Sequence, residues 1–370
     1  MNLQRLRALV WKELLQVGRD PSSVLIAFVL PLVLLFIFGY GLSLDSKNVP
    51  IGVVVEQPSA DASEFVSALD GSDYLEVHLA HDTRTLEADL IEGELRGIVI
   101  VPEDFARNLA AGHAEIRLIA DGSEPNIASF VDAYLRGALQ HWQEMEAVEH
   151  GIQITPAITV DQRVWFNPSV TSRHFLVPGS IAIILTVVGA LLTALVIARE
   201  WERGTMEALL ASPVTRMELL LGKVIPYFLL GLASLTLCVV VAVFLFQVPL
   251  RGSLLALYTV SGIFLLGGLG LGLAISAAAK NQFLASQVAI NAAFLPAFML
   301  SGFIFEIRSM PTWIQYISRL VPARYYVDCL KTLFLAGDLW GYLLPRIIAL
   351  TVIAVFLLAL TAKNLKRHLD

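Results

Sequence analysis

Charged side chains are scarce in this chain. Asp, Glu, Lys and Arg make up 16% of the 370 residues against 56% hydrophobic, whereas a soluble domain needs roughly a quarter charged for its water-facing surface. Much of the surface must therefore face something other than water. Cysteine is nearly missing as well: Cys238 and Cys329 both lie in or beside apolar blocks. The polar stretch 45–174 has none, which excludes a disulfide framework or thiolate metal site there. The plainer reading of the two thiols is ordinary burial, with a bridge between them left open. No G-x-x-x-x-G-K-[ST] run is present, so the chain offers no P-loop for ATP, and no G-x-S-x-G turn presents a nucleophile. The apolar blocks hold almost no ionisable groups, and Arg346 is near enough to a block end to snorkel. Proton- or sodium-driven carriers place carboxylates near the membrane midplane. Their scarcity here implies that energy for any transport enters from outside this chain.

What is present is six apolar blocks, at 22–42, 175–198, 224–246, 254–279, 283–305 and 342–362. Each approaches or exceeds the roughly 20 residues that cross bilayer hydrocarbon. The first is longer than a signal-peptide core and no clear A-x-A site follows it, so it reads as an uncleaved anchor. The fold class expected is an α-helical polytopic membrane protein with six transmembrane helices and an α/β domain inserted between the first two. Its parts are an interfacial helix (1–21), the first span (22–42), the inserted domain (43–174) and a membrane domain (175–370). Lys and Arg fix the orientation. Arg5, Arg7, Lys12 and Arg19, then Arg199, Arg203, Arg216 and Lys223, then Lys280, then Lys363, Lys366 and Arg367 all fall on one side of six spans. That side reads as cytoplasmic, with both termini there. The segment 45–174, with 22 acidic against 8 basic residues, then lies outside.

Within the inserted domain, 51–55, 75–79, 97–101 and 114–119 are short, β-branched and turn-bounded, as strands are. Helical stretches at 60–69, 85–93, 104–111 and 125–149 alternate with them, which predicts a partly parallel sheet; an extended piece, 158–166, leads back to the membrane. His78 and His81 sit on opposite sides of a strand and make a poor metal pair. The abundant acids form no calcium loop and read as a solvated surface. The domain reads as a binding or docking module, without catalytic, cofactor or metal residues.

Four segments carry functional expectations. Residues 1–20 place Leu3, Leu6, Val10, Leu14 and Val17 on one helical face, opposite Arg5, Lys12, Gln16 and Arg19, as in a helix lying on a leaflet. In the loop 199–223, Glu200, Glu202, Arg203 and Glu207 form a charged patch. Gly204 and Thr205 break the helix there, 206–211 forms a short helix that Ser212-Pro213 stops, and Thr215 with Glu218 makes a capping box. Such a helix suits pressing on a soluble partner; the plainer reading is a hairpin. The run Gly267-Gly268-Leu269-Gly270-Leu271-Gly272 lies inside a span, so its G-x-G spacing is no nucleotide loop. Gly268 and Gly272 instead form a small-xxx-small packing face. Finally, 306–340 is too broken by charge and proline for a span and too apolar for an exposed loop. It reads as two short helices re-entering the outer leaflet, with aromatics at headgroup depth.

Three stretches then align with a known pattern: Lys12-Glu13 through Arg19-Asp20-Pro21; Arg199-Glu200 with Glu202-Arg203-Gly204-Thr205-Met206-Glu207; and Ser301-Gly302-Phe303-Ile304-Phe305 with Met310-Pro311 and Pro322-Ala323-Arg324-Tyr325-Tyr326. Together with the order of parts, they resemble the membrane subunit of type-2 ATP-binding-cassette exporters over nearly the whole chain. The large outer domain resembles the bacterial multidrug-export branch. The resemblance implies a permease in the bacterial inner membrane that moves a substrate, such as a drug or other amphiphile, outward. It assigns coupling to the ATPase to Glu200 and to Glu202 through Glu207. It assigns an outer gate to Ser301, Gly302, Phe303, Phe305, Pro311, Pro322, Arg324, Tyr325 and Tyr326. ATP and Mg would be held by separate ATPase subunits. The other partners implied are a second permease subunit, identical or not, a periplasmic adaptor and membrane lipid, but no nucleic acid. Two other readings stay open at this point. A mechanical transmitter driving a periplasmic partner fits the outer domain but needs no apolar re-entrant gate. A polytopic membrane enzyme needs acid–base or metal residues clustered at one membrane face, which the sequence lacks outside the coupling loop.

Overall fold

The computed structural model describes residues 2–41, 48–80, 82–121, 125–149, 167 and 171–367. The chain divides into two compact units, one of Met1–Ser43 with Arg163–Asp370 and one of Leu44–Gln162. Helix α1 (Leu3–Gly18) begins at Asn2, whose side chain accepts from the Gln4 amide at 3.0 Å. Its buried residues are Glu13 and Val17, while Leu3 and Leu14 are exposed together with Trp11 and Leu15. Leu3 and Leu14 belong to the face expected to lie on a leaflet, and the inward side of the helix carries a carboxylate. Helix α2 (Pro21–Gly41) is the first of six helices among the described residues that are long and apolar enough to cross a membrane.

The second unit is a four-stranded sheet of β1 (Val49–Val55), β2 (Leu75–Ala80), β3 (Gly97–Val101) and β4 (Arg117–Ala120), in the order β2-β1-β3-β4. β1 runs parallel to β2 and β3, and β4 is antiparallel to β3. The connecting helices are α3 (Ala60–Asp70), α4 (Thr83–Glu92) and α5 (Phe105–Ala110), followed by α6 (Pro125–Glu149). Side chains alternate across the sheet, as strand geometry requires. Val53, Val99 and Val101 join Phe65 of α3 and Trp142 of α6 on one face. Val54, Ile98 and Ile100 join Leu86 of α4 on the other. The fourth strand starts later than expected, at Arg117, and Phe130 of α6 is exposed and stacks on Tyr134. His78 is half exposed beside Glu76, and among the described residues no His, Cys, Asp and Glu cluster suits a metal ion. His81 and the expected piece 158–166 lie outside the described residues.

The remaining elements belong to the first unit: α7 (Ser172–Glu202), α8 (Thr205–Ala211), α9 (Arg216–Leu245), α10 (Leu254–Ala279), α11 (Gln282–Leu300), α12 (Thr312–Ser318), α13 (Pro322–Leu335) and α14 (Trp340–Arg367). Helix α7 is the hub, with 94% of its most apolar window buried, against 17% in α14. Lipid is as apolar as leucine, so close backbone approach has to hold such helices together. A methyl at Gly272 of α10 would stand 2.2 Å from Thr193 Oγ1 and 2.3 Å from the Ala190 carbonyl oxygen of α7. Gly268 meets Gly189 in the same seam. Thr193 Oγ1 donates across it to the Leu269 carbonyl at 3.1 Å, and Ser276 Oγ accepts from the Ala198 amide at 2.9 Å. Ala190, Ala194 and Ala198 of α7 likewise face Ala285, Ala289 and Ala293 of α11. The fifth span ends at Leu300, five residues before its expected end, because Gly302 takes a left-handed φ of +79° and turns the chain. Cys238 and Cys329 are free and buried.

Candidate functional site

Helix α7 ends at Glu202, and Gly204 turns the chain with φ +67°, a conformation that costs any residue with a Cβ. Helix α8 follows at once and stops at Ser212-Pro213. Thr215 and Glu218 then form a reciprocal capping box: the Thr215 amide donates to Glu218 Oε2 at 2.9 Å, and Thr215 Oγ1 accepts from the Glu218 amide at 3.4 Å.

Beneath this turn lies a buried set of ion pairs. Lys223 Nζ of α9 stands 3.0 Å from Glu13 Oε1 and 3.4 Å from Glu200 Oε1, with all three side chains at most 4% exposed. Lys12 Nζ adds a 2.7 Å bond to Glu200, and the Thr205 hydroxyl donates to Glu200 Oε2. Arg199 Nη2 meets Asp20 Oδ2 at 2.8 Å. Two further bonds tie the start of α1 to the same region, from the Asn2 amide to Glu218 and from Arg5 to the Pro213 carbonyl. Burial disfavours the Lys12 ammonium, but the hydrogen bond to Glu200 and the charges of Glu13 and Glu200 outweigh it and raise its pKa. Burial likewise opposes ionisation of Asp20, yet the Ser23 hydroxyl and the Arg199 guanidinium hold its carboxyl below the ordinary value. The stretches 12–20 and 199–200, two of those that carry the resemblance, are thus halves of one cluster, which Lys223 completes.

The charged patch expected at this loop divides in two. Glu200 is buried in the ion pairs, and Met206 is 2% exposed against the core; neither faces outward as a contact residue. Glu202, Arg203, Gly204, Thr205 and Glu207 are exposed. Of these, Glu202 accepts from the Gln282 amide at 2.8 Å and from its side chain. Arg199 and Lys223, counted above as orienting charges, are also buried in pairs. Sequence reasoning missed the pairing of Glu13 with Lys223. The available signal was the spacing of Leu6, Val10, Glu13 and Val17, which sets a carboxylate on an otherwise apolar stripe.

At the far end of the spans, the segment after α11 divides the expected gate residues similarly. Ser301, Phe303 and Tyr326 are buried. Phe303 packs edge-on against Phe38 and sits where a methyl on Gly179 would be, while Tyr326 stacks on Phe264 and donates to Ser261 Oγ at 2.7 Å. Their side chains pack inside this unit. Phe305 is 51% exposed, Pro311 precedes α12 and Pro322 opens α13. Arg324 Nη1 donates to the Gln315 carbonyl at 3.1 Å and to Ser318 Oγ, and the Tyr325 hydroxyl donates to the Arg319 carbonyl. Arg346, expected to snorkel, pairs with Asp328 at 3.1 Å.

Residues 21–363 match the family described as ABC-2 family transporter protein. The chain is 50% identical to "Probable multidrug ABC transporter permease YbhS" of Escherichia coli, over 100% of this chain and 99% of that protein. It is 28% identical to "Probable multidrug ABC transporter permease YbhR" of Escherichia coli, over 93% and 94% of the two chains. To "Linearmycin resistance permease protein LnrN" of Bacillus subtilis it is 24% identical, over 90% and 92%. A match over nearly the whole length, in a chain whose described residues hold six helices long and apolar enough to cross a membrane, makes this chain a member of the ABC-2 family of transporter proteins.

Proposed function

We propose that this chain is the non-catalytic permease subunit of an ATP-driven exporter in a bacterial inner membrane. Its cargo class is a drug or another amphiphile, in keeping with the names of its relatives. The observation that carries the reading is the ion-paired cluster that joins α1, the end of α7 and the start of α9 beneath an exposed turn. The sequence has no P-loop, so ATP and Mg belong to separate ATPase subunits, and energy has to enter through a small contact. In this reading Glu202, Arg203 and Glu207 touch the ATPase, Gly204 presents them, and Glu200, Thr205 and Met206 hold the turn to the bundle. The Lys and Arg distribution supports a cytoplasmic turn and cytoplasmic termini, with the 44–162 unit outside and available to an adaptor. A second permease subunit, identical or related, completes the pathway, and the segment 301–326 gates its outer end.

Two linked measurements test this reading. A cysteine placed at exposed Glu87 should react with a membrane-impermeant thiol reagent in intact cells, and one at Glu207 only after lysis. The two native thiols are buried and give little background. Inverted vesicles holding the chain with its ATPase should accumulate an amphiphilic dye only when ATP is present. Reversed labelling, or uptake independent of the ATPase, would overturn the proposal.

A further inference from the structure

Between the segment after α11, helices α12 and α13, and the starts of α7 and α14 lies a cavity of about 610 Å³. Four cations line it, Arg308, Arg324, Lys331 and Arg346, against two carboxylates, Glu306 and Asp328. Asp328 is engaged by Arg346 Nε at 3.1 Å. Lys331 Nζ donates to the Gly302 carbonyl at 2.8 Å and lies 3.5 Å from the centre of the Phe175 ring. Arg324 is held by a carbonyl and a hydroxyl. These neutral partners position the two cations without cancelling their charge. Among the described residues, Arg308, Arg324 and Lys331 have no carboxylate within 4.0 Å.

Arg324 and Lys331 are half-buried, with Asp328 acting on Lys331 only from beyond contact distance, and an anion entering the cavity would offset the cost of that burial. Phosphate suits the donor set. A guanidinium offers a planar fork to two of its oxygens, and an ammonium acts as a point charge on a third. The apolar part of the lining, Phe175, Ile304, Ile307 and Tyr342, suits the carbon skeleton of an ester better than a free ion. Nearby on α12 and the turn after it, Trp313 and Leu320 are 65% and 77% exposed, as expected of side chains that face lipid.

We propose that this cavity binds a phosphate ester through Lys331 and Arg324, with Arg308 at its rim, and that a phospholipid headgroup supplies it. The proposal rests on the function proposed above only for which leaflet supplies the lipid; binding itself needs neither ATPase nor orientation. The full chain, delipidated in a neutral detergent, would be titrated with dihexanoylphosphatidylglycerol, with uncharged dihexanoylglycerol and with inorganic phosphate. The expected result is saturable binding of the phospholipid alone. Lys331→Gln and Arg324→Gln should each weaken it about tenfold or more, and Lys331→Arg should restore most of it, with thermal melting confirming that each variant is folded. Inorganic phosphate binding as tightly as the lipid would overturn the lipid source and leave the anion site. Absence of phospholipid binding, or wild-type affinity in both folded Gln variants, would overturn the site. Reversed thiol labelling would sink the proposed function while leaving this binding result untouched.

Discussion

Lys223 serves two buried carboxylates at once, Glu13 at 3.0 Å and Glu200 at 3.4 Å. Removing one member of such a set is costlier than removing all of it, because the remaining charges stay buried. Lys223→Met is therefore expected to destabilise the purified protein by about 3–5 kcal/mol. Adding Glu13→Gln to that variant should recover part of the loss in thermal unfolding. Asp20 gives a pH signature. Its folded pKa is depressed, so its contribution is complete above the unfolded carboxylate value of about 3.9 and is lost as pH falls through the lower folded value. The melting difference between wild type and Asp20→Asn should be constant above about pH 5 and shrink as the medium is acidified below about pH 4. In the sequence Lys223 reads as an orienting charge and Asp20 as part of a motif, and neither reads as a buried partner. Which charges meet depends on how α1 lies against α9, and local spacing does not encode that.

Helices and strands were far more legible. Among the described residues, apolar run length located the six helices long and apolar enough to cross a membrane, and β-branched runs bounded by turns located the four strands, since both signals are local. The errors fall at the ends of runs. Gly302 ends the fifth helix early, and the fourth strand begins only at Arg117. The glycine run of α10 was readable as a packing face because a span has no use for a nucleotide loop. Gly272 lies so close to Ala190 and Thr193 of α7 that Gly272→Leu should force the two helices apart. The expected cost is about 1–3 kcal/mol, as for other overpacked sites, read as a lower melting temperature in detergent. Gly341→Ala, where nothing lies within 4 Å, should not lower the melting temperature, since Ala suits a helix better than Gly.

On the scale of the whole molecule, the sequence holds the list of parts but not their partners. The expected coupling and gate residues divide into exposed and buried groups, a distinction of packing that the linear motifs do not carry. The α7–α8 turn is the proposed place where ATP energy enters. Gly204→Val would strain a left-handed residue by about 1–2 kcal/mol, and Glu207→Lys would reverse an exposed charge without touching the ion pairs beneath. The direct test is co-purification of the ATPase with each variant, together with ATP-dependent export, both normalised to the amount of chain in the membrane. The account predicts normal insertion with bound ATPase and export both reduced severalfold. Variants that insert, bind the ATPase and export at wild-type levels would contradict it and reduce the turn to a connecting hairpin.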